Sequence, residues 1–173
     1  TVRRAGYGCG DLDIEVLIHP QSPDIAGAVE GAGQMGAGDQ GVMYGYACSE
    51  TDALLPLPVV LAHRLTALLA CARTMGWIDG LLPDGKAQVS VEYEFGVPKR
   101  IAAIVLSCQH TEDKDLPALR EELREFVITP ALRTFPADAD TGIYINPSGR
   151  FVLGGFEADT GLTGRKLMVD TYG

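Results

Sequence analysis

One acid, two glycines, two hydroxyls and two adjacent cations are concentrated in the eight residues Asp159 to Lys166, which end Gly161-Leu162-Thr163-Gly164-Arg165-Lys166. A guanidinium that can fork onto two oxygens, set beside an ammonium and a flexible backbone, suits a polyphosphate. Asp159 in such a site needs a cationic partner such as an ammonium group; the alternative is a cluster of solvated charges. Asp84-Gly85-Lys86 supplies another cation beside a glycine, either a point charge for phosphate or an exposed surface turn. Gly36-Ala37-Gly38-Asp39-Gln40-Gly41 sets a carboxylate and an amide between glycines, so Asp39 can meet a ligand hydroxyl or ammonium unless the stretch is simply a tight turn. Arg150-Phe151 pairs a planar cation with a ring, and either can stack on a base, although core packing is the ordinary fate of an isolated phenylalanine. No GxxxxGK[ST] phosphate loop occurs, and the glycine spacing at Gly161–Gly164 is too short to replace one. His63, among apolar residues, and His110, at the end of a strand pattern, read as structural.

These groups need elements to hold them. Leu12 to Ile18 alternates and predicts a short strand, followed by a proline turn at Gln21-Ser22-Pro23-Asp24. Gly27 to Gly38, with five glycines in twelve residues, has the composition of a mobile loop. Gln40 to Cys48 is rich in β-formers and predicts a strand. Pro58 fits a first helical turn, and Val60, Leu61, Arg64, Leu65, Leu68, Leu69 and Ala72 then recur at helical steps until Gly76. Ala87 to Phe95 alternates, with Val89, Val91, Tyr93 and Phe95 on one face and Gln88, Ser90, Glu92 and Glu94 on the other. Gly96-Val97-Pro98 turns the chain into a more buried strand at Ile101 to Leu106, giving an antiparallel hairpin. Leu116 to Val127 is an amphipathic helix that Asp113 or Asp115 can cap. Ile143–Ile145 and Phe151–Leu153 predict short strands around the turn Asn146-Pro147-Ser148-Gly149. From Gln40 the order is β-α-β-β-α-β, an α+β layer with helices on one face of a mixed or antiparallel sheet.

Composition narrows the function. The 173 residues carry a formal charge of -9, which disfavours non-specific nucleic-acid binding because counterion release needs a clustered basic surface. The longest apolar stretch, Leu54 to Ala72, is broken by Pro56, Pro58, His63, Arg64 and Thr66, so no membrane segment is expected. No secretory signal opens the chain. The cysteines at 9, 48, 71 and 108 show no CxxC pair and no metal-ligand spacing, which predicts reduced thiols.

Five ordered stretches together resemble the S-adenosylmethionine synthetase (methionine adenosyltransferase) family. They are Gln21-Ser22-Pro23-Asp24-Ile25, Gly36 through Ala47, Asp84-Gly85-Lys86-Ala87-Gln88-Val89, Ile145 through Val152, and Gly161 through Lys166 with Val169-Asp170-Thr171-Tyr172-Gly173. The resemblance implies the central portion of an enzyme in which the methionine sulfur attacks C5′ of ATP, with tripolyphosphate leaving and then being cleaved to diphosphate and phosphate. It assigns Lys86, Arg165 and Lys166 to charge neutralisation on the polyphosphate, and Arg150 and Phe151 to the adenosine. Asp84 and Gly85 would join Lys86 in binding ATP, Asp39 would lie near ribose and methionine, Asp159 would contact both substrates, and Gln21 would touch methionine before a gating loop. Mg2+ and K+ assist in the family, with their main ligands outside this chain, and a cytoplasmic homodimer or dimer of dimers is expected. The resemblance also implies a division into 1–35, the end of an N-terminal domain with the gating loop, 36–157, the central α+β domain, and 158–173, the start of a C-terminal one.

Two departures accompany it. The family stretch before GLTGRK usually reads Gly-Pro-x-Gly-Asp, whereas here it is Gly155-Phe156-Glu157-Ala158-Asp159. The family's His-Pro-Asp-Lys segment and a later lysine-bearing Gly-rich segment have no counterpart in these residues. The 173 residues alone are therefore expected to give negligible S-adenosylmethionine synthesis; the alternative is a noncatalytic dimer-forming or ligand-binding module of the same fold.

Overall fold

The computed structural model describes residues 2–7, 13–30, 33, 36–38, 41, 45–159 and 161. Its contacts divide it into two units: Gly8–Gly45, and Thr1–Tyr7 together with Tyr46–Gly173.

A four-residue helix, α1 (Val2–Ala5), belongs to the larger unit; in the smaller unit α2 covers Pro23–Glu30, where a proline turn and then a glycine-rich loop were expected. Pro23 fixes a helical φ at a position where an N–H has no partner anyway, and Asp24 in the first turn complements the positive helix end. These start signals outweigh Gly27. Gly38 packs over the helix so closely that a Cβ there would lie 3.3 Å from both Ile25 and Val29. The predicted strand at Leu12–Ile18 does not form across its described part, and Ile14, Val16, Leu17 and Ile18 are exposed. A strand without a ladder partner has too few compensating hydrogen bonds to persist.

The larger unit contains the sheet. Helix α3 (Leu57–Thr74) starts with Pro58 in its first turn, as its pattern predicts, and its first N–H, on Leu57, donates to the Glu50 carboxylate at 2.9 Å. Leu57, Leu61, Leu65, Leu69 and Ala72 form its buried stripe. By length and composition α3 would suffice to cross a membrane, but this stripe is spent on the protein core. Strands β1 (Leu81–Glu94) and β2 (Val97–His110) make the antiparallel hairpin; β1 starts earlier than the alternation indicated and stops one residue short of Phe95, and β2 is longer at both ends. Phe95 and Gly96, at φ 52° and 77°, form its tight turn with the twist that primed turns share with strands. Val89 faces Ile104 and Ala87 faces Leu106 across the ladder, on the side covered by the helices.

Helix α4 (Leu116–Leu123) begins at Asp115, whose carboxylate accepts the Ala118 N–H at 2.9 Å. It continues through a π-helical turn, Arg124–Ile128, into α5 (Thr129–Ala131). The widening falls just before Pro130, whose ring would collide with the Phe126 carbonyl in a regular α-helix. Leu119, Leu123, Val127 and Ile128 are buried against α3 and the sheet, each burial contributing on the order of 1.5–3 kcal/mol. The chain returns as β3 (Gly142–Ile145), parallel to β2, completing the order β1-β2-β3 of a mixed sheet.

The α+β layer expected from the sequence is present, with two differences in detail. Phe151–Leu153 is not a strand. Of the first predicted strand, Gln40–Cys48, positions 40 and 42–44 lie outside the described residues, and its described end, Gly45–Cys48, has no regular structure.

Candidate functional site

Asp84-Gly85-Lys86 is not a turn before a strand but part of β1, beside a register shift between Leu81 and Gly85. Gly85 meets Leu69 of α3: a Cβ there would sit 2.6 Å from the leucine Cδ2, so glycine is what lets strand and helix approach. Lys86 is the next residue along the strand, points to the other face, and pairs with Ser107 on β2.

Asn146 ends β3 in the left-handed region, at φ 42°. Its buried amide continues the sheet by side chain: Oδ1 accepts from the Cys108 N–H at 2.8 Å and Nδ2 donates to the Cys108 carbonyl at 2.9 Å. Arg120 of α4 donates to the carbonyls of Ile145 and Asn146. A turn closed by the Gly149 N–H on the Asn146 carbonyl, at 2.9 Å, then directs Arg150 and Phe151 back toward the sheet. The result is a cavity of about 200 Å³ lined by Lys86, Ser107, Asn146, Ser148, Gly149, Arg150 and Phe151.

Three expected site residues, Lys86, Arg150 and Phe151, are thus brought together although 64 positions of chain (150 − 86) separate the first two. Arg150 contacts Glu112 at 2.5 Å with both side chains largely exposed, a pair worth at most about 1 kcal/mol that an incoming anion can displace. Asp84 does not line the cavity; its Oδ2 accepts the Gly155 N–H at 2.9 Å. Asp159 is exposed, and its backbone N–H donates to the Gly155 carbonyl. Gln21 belongs to the smaller unit, where it lies against Gly38. Asp39, Arg165 and Lys166 lie outside the described residues.

A larger cavity, about 380 Å³, lies at the start of α3 between Glu50, Asp52, Arg64 and Phe135. It suits a polyphosphate less well. Two carboxylates border it, and the Arg64 guanidinium already donates to the Ala131 carbonyl and Thr134 hydroxyl. Among the described residues no three His, Cys, Asp or Glu side chains converge to hold a metal ion, so no step here is routed through one. His63 is exposed on α3, and His110 is buried and hydrogen-bonded to backbone. The Cys108 thiol is pushed up to about 12 by burial, which makes it inert.

Sequence reasoning read Asn146 only as a turn residue and did not single out Ser107, Ser148 or Gln109. The signal for Asn146 was its position: an asparagine at the end of a buried strand can adopt the left-handed conformation and use its amide in place of backbone.

Fold and cavity together define an α+β domain that gathers cations and an aromatic ring at one end of a mixed sheet. Residues 34–151 match the family model described as S-adenosylmethionine synthetase, central domain. The S-adenosylmethionine synthase of Desulfosudis oleivorans is 48% identical over 184 aligned residues, covering 100% of this chain and 47% of that protein. That of Clostridium botulinum is 47% identical, covering 100% and 49%, and that of a Sulfurovum species is 50% identical, covering 98% and 45%. The chain belongs to the S-adenosylmethionine synthetase family, through its central domain. It spans about half the length of the curated relatives it matches.

Proposed function

We propose that this chain is the ATP-holding central part of an ATP:L-methionine S-adenosyltransferase. The single observation that carries the reading is the convergence of Lys86, Arg150 and Phe151 on one cavity. In the proposed reaction the methionine sulfur forms a bond to C5′ as the C5′–O bond breaks, and the electron pair leaves with tripolyphosphate, which water then hydrolyses to diphosphate and phosphate. Charge accumulates on the leaving group, so fixed cations lower the barrier electrostatically more than by proton transfer. Lys86, Arg165 and Lys166 supply that charge. Phe151 and Arg150 take the adenosine, with Asp84 and Gly85 shaping the strand beside them and Asp39 near the ribose. Asp159 and Gln21 serve methionine.

Mg2+ and K+ belong to the same proposal, with their main ligands expected outside this chain. So do a cytoplasmic location, the division at 35 and 157, and a homodimer or dimer of dimers whose flat sheets pack together. Calorimetric titration of the chain with ATP tests the reading. Binding is expected, weakened at least tenfold by Lys86→Met and by Phe151→Ala; no binding, or indifference to both changes, contradicts it.

A further inference from the structure

We propose that Gln109 and His110 are positioning residues for the base-stacking face of Phe151, an inference that rests on the ATP-binding reading above. They are the last two residues of β2, so they project to opposite faces of the sheet, and both are polar yet buried, at 6% and 1% exposure. Buried polar groups are retained where they are hydrogen-bonded, and both of these are bonded to the segment that follows Arg150.

His110 Nδ1 lies 2.9 Å from the Thr111 carbonyl, which can only accept, so Nδ1 carries the proton. Nε2 is therefore the acceptor for the Phe151 N–H at 3.1 Å. The His110 N–H donates in turn to the Phe151 carbonyl at 2.9 Å, so one residue fixes both backbone groups of the phenylalanine. On the other face Gln109 Nε2 donates to the Val152 carbonyl at 2.9 Å, while its Oε1 accepts the Asp84 N–H more loosely, at 3.4 Å. That glutamine links the Phe151 segment to the strand that carries Lys86.

Residues 151–153 form no strand, so these side chains do what a ladder would otherwise do. A ladder would continue the segment along the sheet. A side-chain clamp holds its backbone while leaving Phe151 at the cavity. Neither Gln109 nor His110 lines that cavity, so each acts through Phe151 and not on the ligand.

The test compares ATP with inorganic triphosphate, which has no base, by calorimetric titration of the 173-residue chain and its His110→Leu, Gln109→Leu, His110→Gln and Phe151→Ala variants. Losing one hydrogen bond that fixes the ring is expected to weaken ATP about tenfold. His110→Leu and Gln109→Leu should show that loss while triphosphate binding stays within about twofold, the pattern expected of Phe151→Ala. His110→Gln, which restores an acceptor near the Nε2 position, should recover most of the ATP affinity. Equal weakening of ATP and triphosphate, or unchanged ATP binding in the folded variants, overturns the inference alone. If His110→Leu does not fold, Gln109→Leu and His110→Gln decide by the same criterion. Failure of the unaltered chain to bind ATP overturns the functional reading and this inference together.

Discussion

Gly154→Ala joins the packing of the candidate site to its chemistry. Gly154 lies at φ -156° and ψ -178°, extended backbone that alanine adopts without strain, so any effect must be steric. The added Cβ would lie 2.8 Å from Gln109 Cδ, 2.9 Å from Phe151 Cε2 and 3.1 Å from Asp84 Oδ2. Unstrained contacts fall near 3.5–4.0 Å, so the methyl intrudes by roughly 0.5–1 Å on three groups at once. Two of them are held through their side chains, Gln109 to the Val152 carbonyl and Asp84 to the Gly155 N–H, whereas Phe151 is tied to His110 through its backbone alone. Overpacking of this kind costs about 1–3 kcal/mol, which for a chain of this size lowers the melting temperature by roughly 2–12 °C. The ring is the most easily displaced of the three, so ATP affinity should fall further than triphosphate affinity. Thermal unfolding followed by circular dichroism, with calorimetric titration of both ligands, measures this. A variant melting within about 1 °C of the unaltered chain, with unchanged ATP affinity, would refute the reasoning.

Three further outcomes are expected. Asp115→Ala removes the cap on the Ala118 N–H and should destabilise the chain by about 0.5–2 kcal/mol in urea unfolding. Under native conditions a maleimide should label exposed Cys71 well before buried Cys108, whose thiol is pushed up to about 12, and mass spectrometry of the peptides reads the order. Asp138 is held well below its ordinary 3.8, first by hydrogen bonds from Arg100 and also by Thr141, so its contribution to stability is present above that value and is lost as pH falls below it. The melting temperature of Asp138→Asn should accordingly lie below that of the unaltered chain at neutral pH, and the gap should close in acid.

The parts of the fold that were legible are those where periodicity and burial agree. The leucine steps of α3 point to one face, which is buried, and of the alternating face Val89 and Val91 pack half-buried against the core while Tyr93 and Phe95, farther along, are exposed. Local signals competed elsewhere. Glycine content hid α2 behind the look of a loop, although Pro23 and Asp24 carried the helix-start signal. Phe151–Leu153 has the composition of a strand, yet the side chains of His110 and Gln109 satisfy its backbone instead of a neighbouring strand. In the candidate site the chemistry-bearing residues were visible because cations beside glycine and aromatic residues are uncommon enough to notice. Their support was not. Asn146, Gln109 and His110 act through long-range hydrogen bonds, and nothing adjacent in sequence announces a partner some 40 positions away.

The most direct measurement is photolabelling with 8-azido-ATP, which attaches at the base, followed by mapping of the modified peptide. Label is predicted on the segment from Asn146 to Leu153, suppressed by excess ATP and reduced in Phe151→Ala. Label on the cavity bordered by Glu50, Arg64 and Phe135, or label that excess ATP leaves untouched, would contradict the assignment of the nucleotide to Lys86, Arg150 and Phe151.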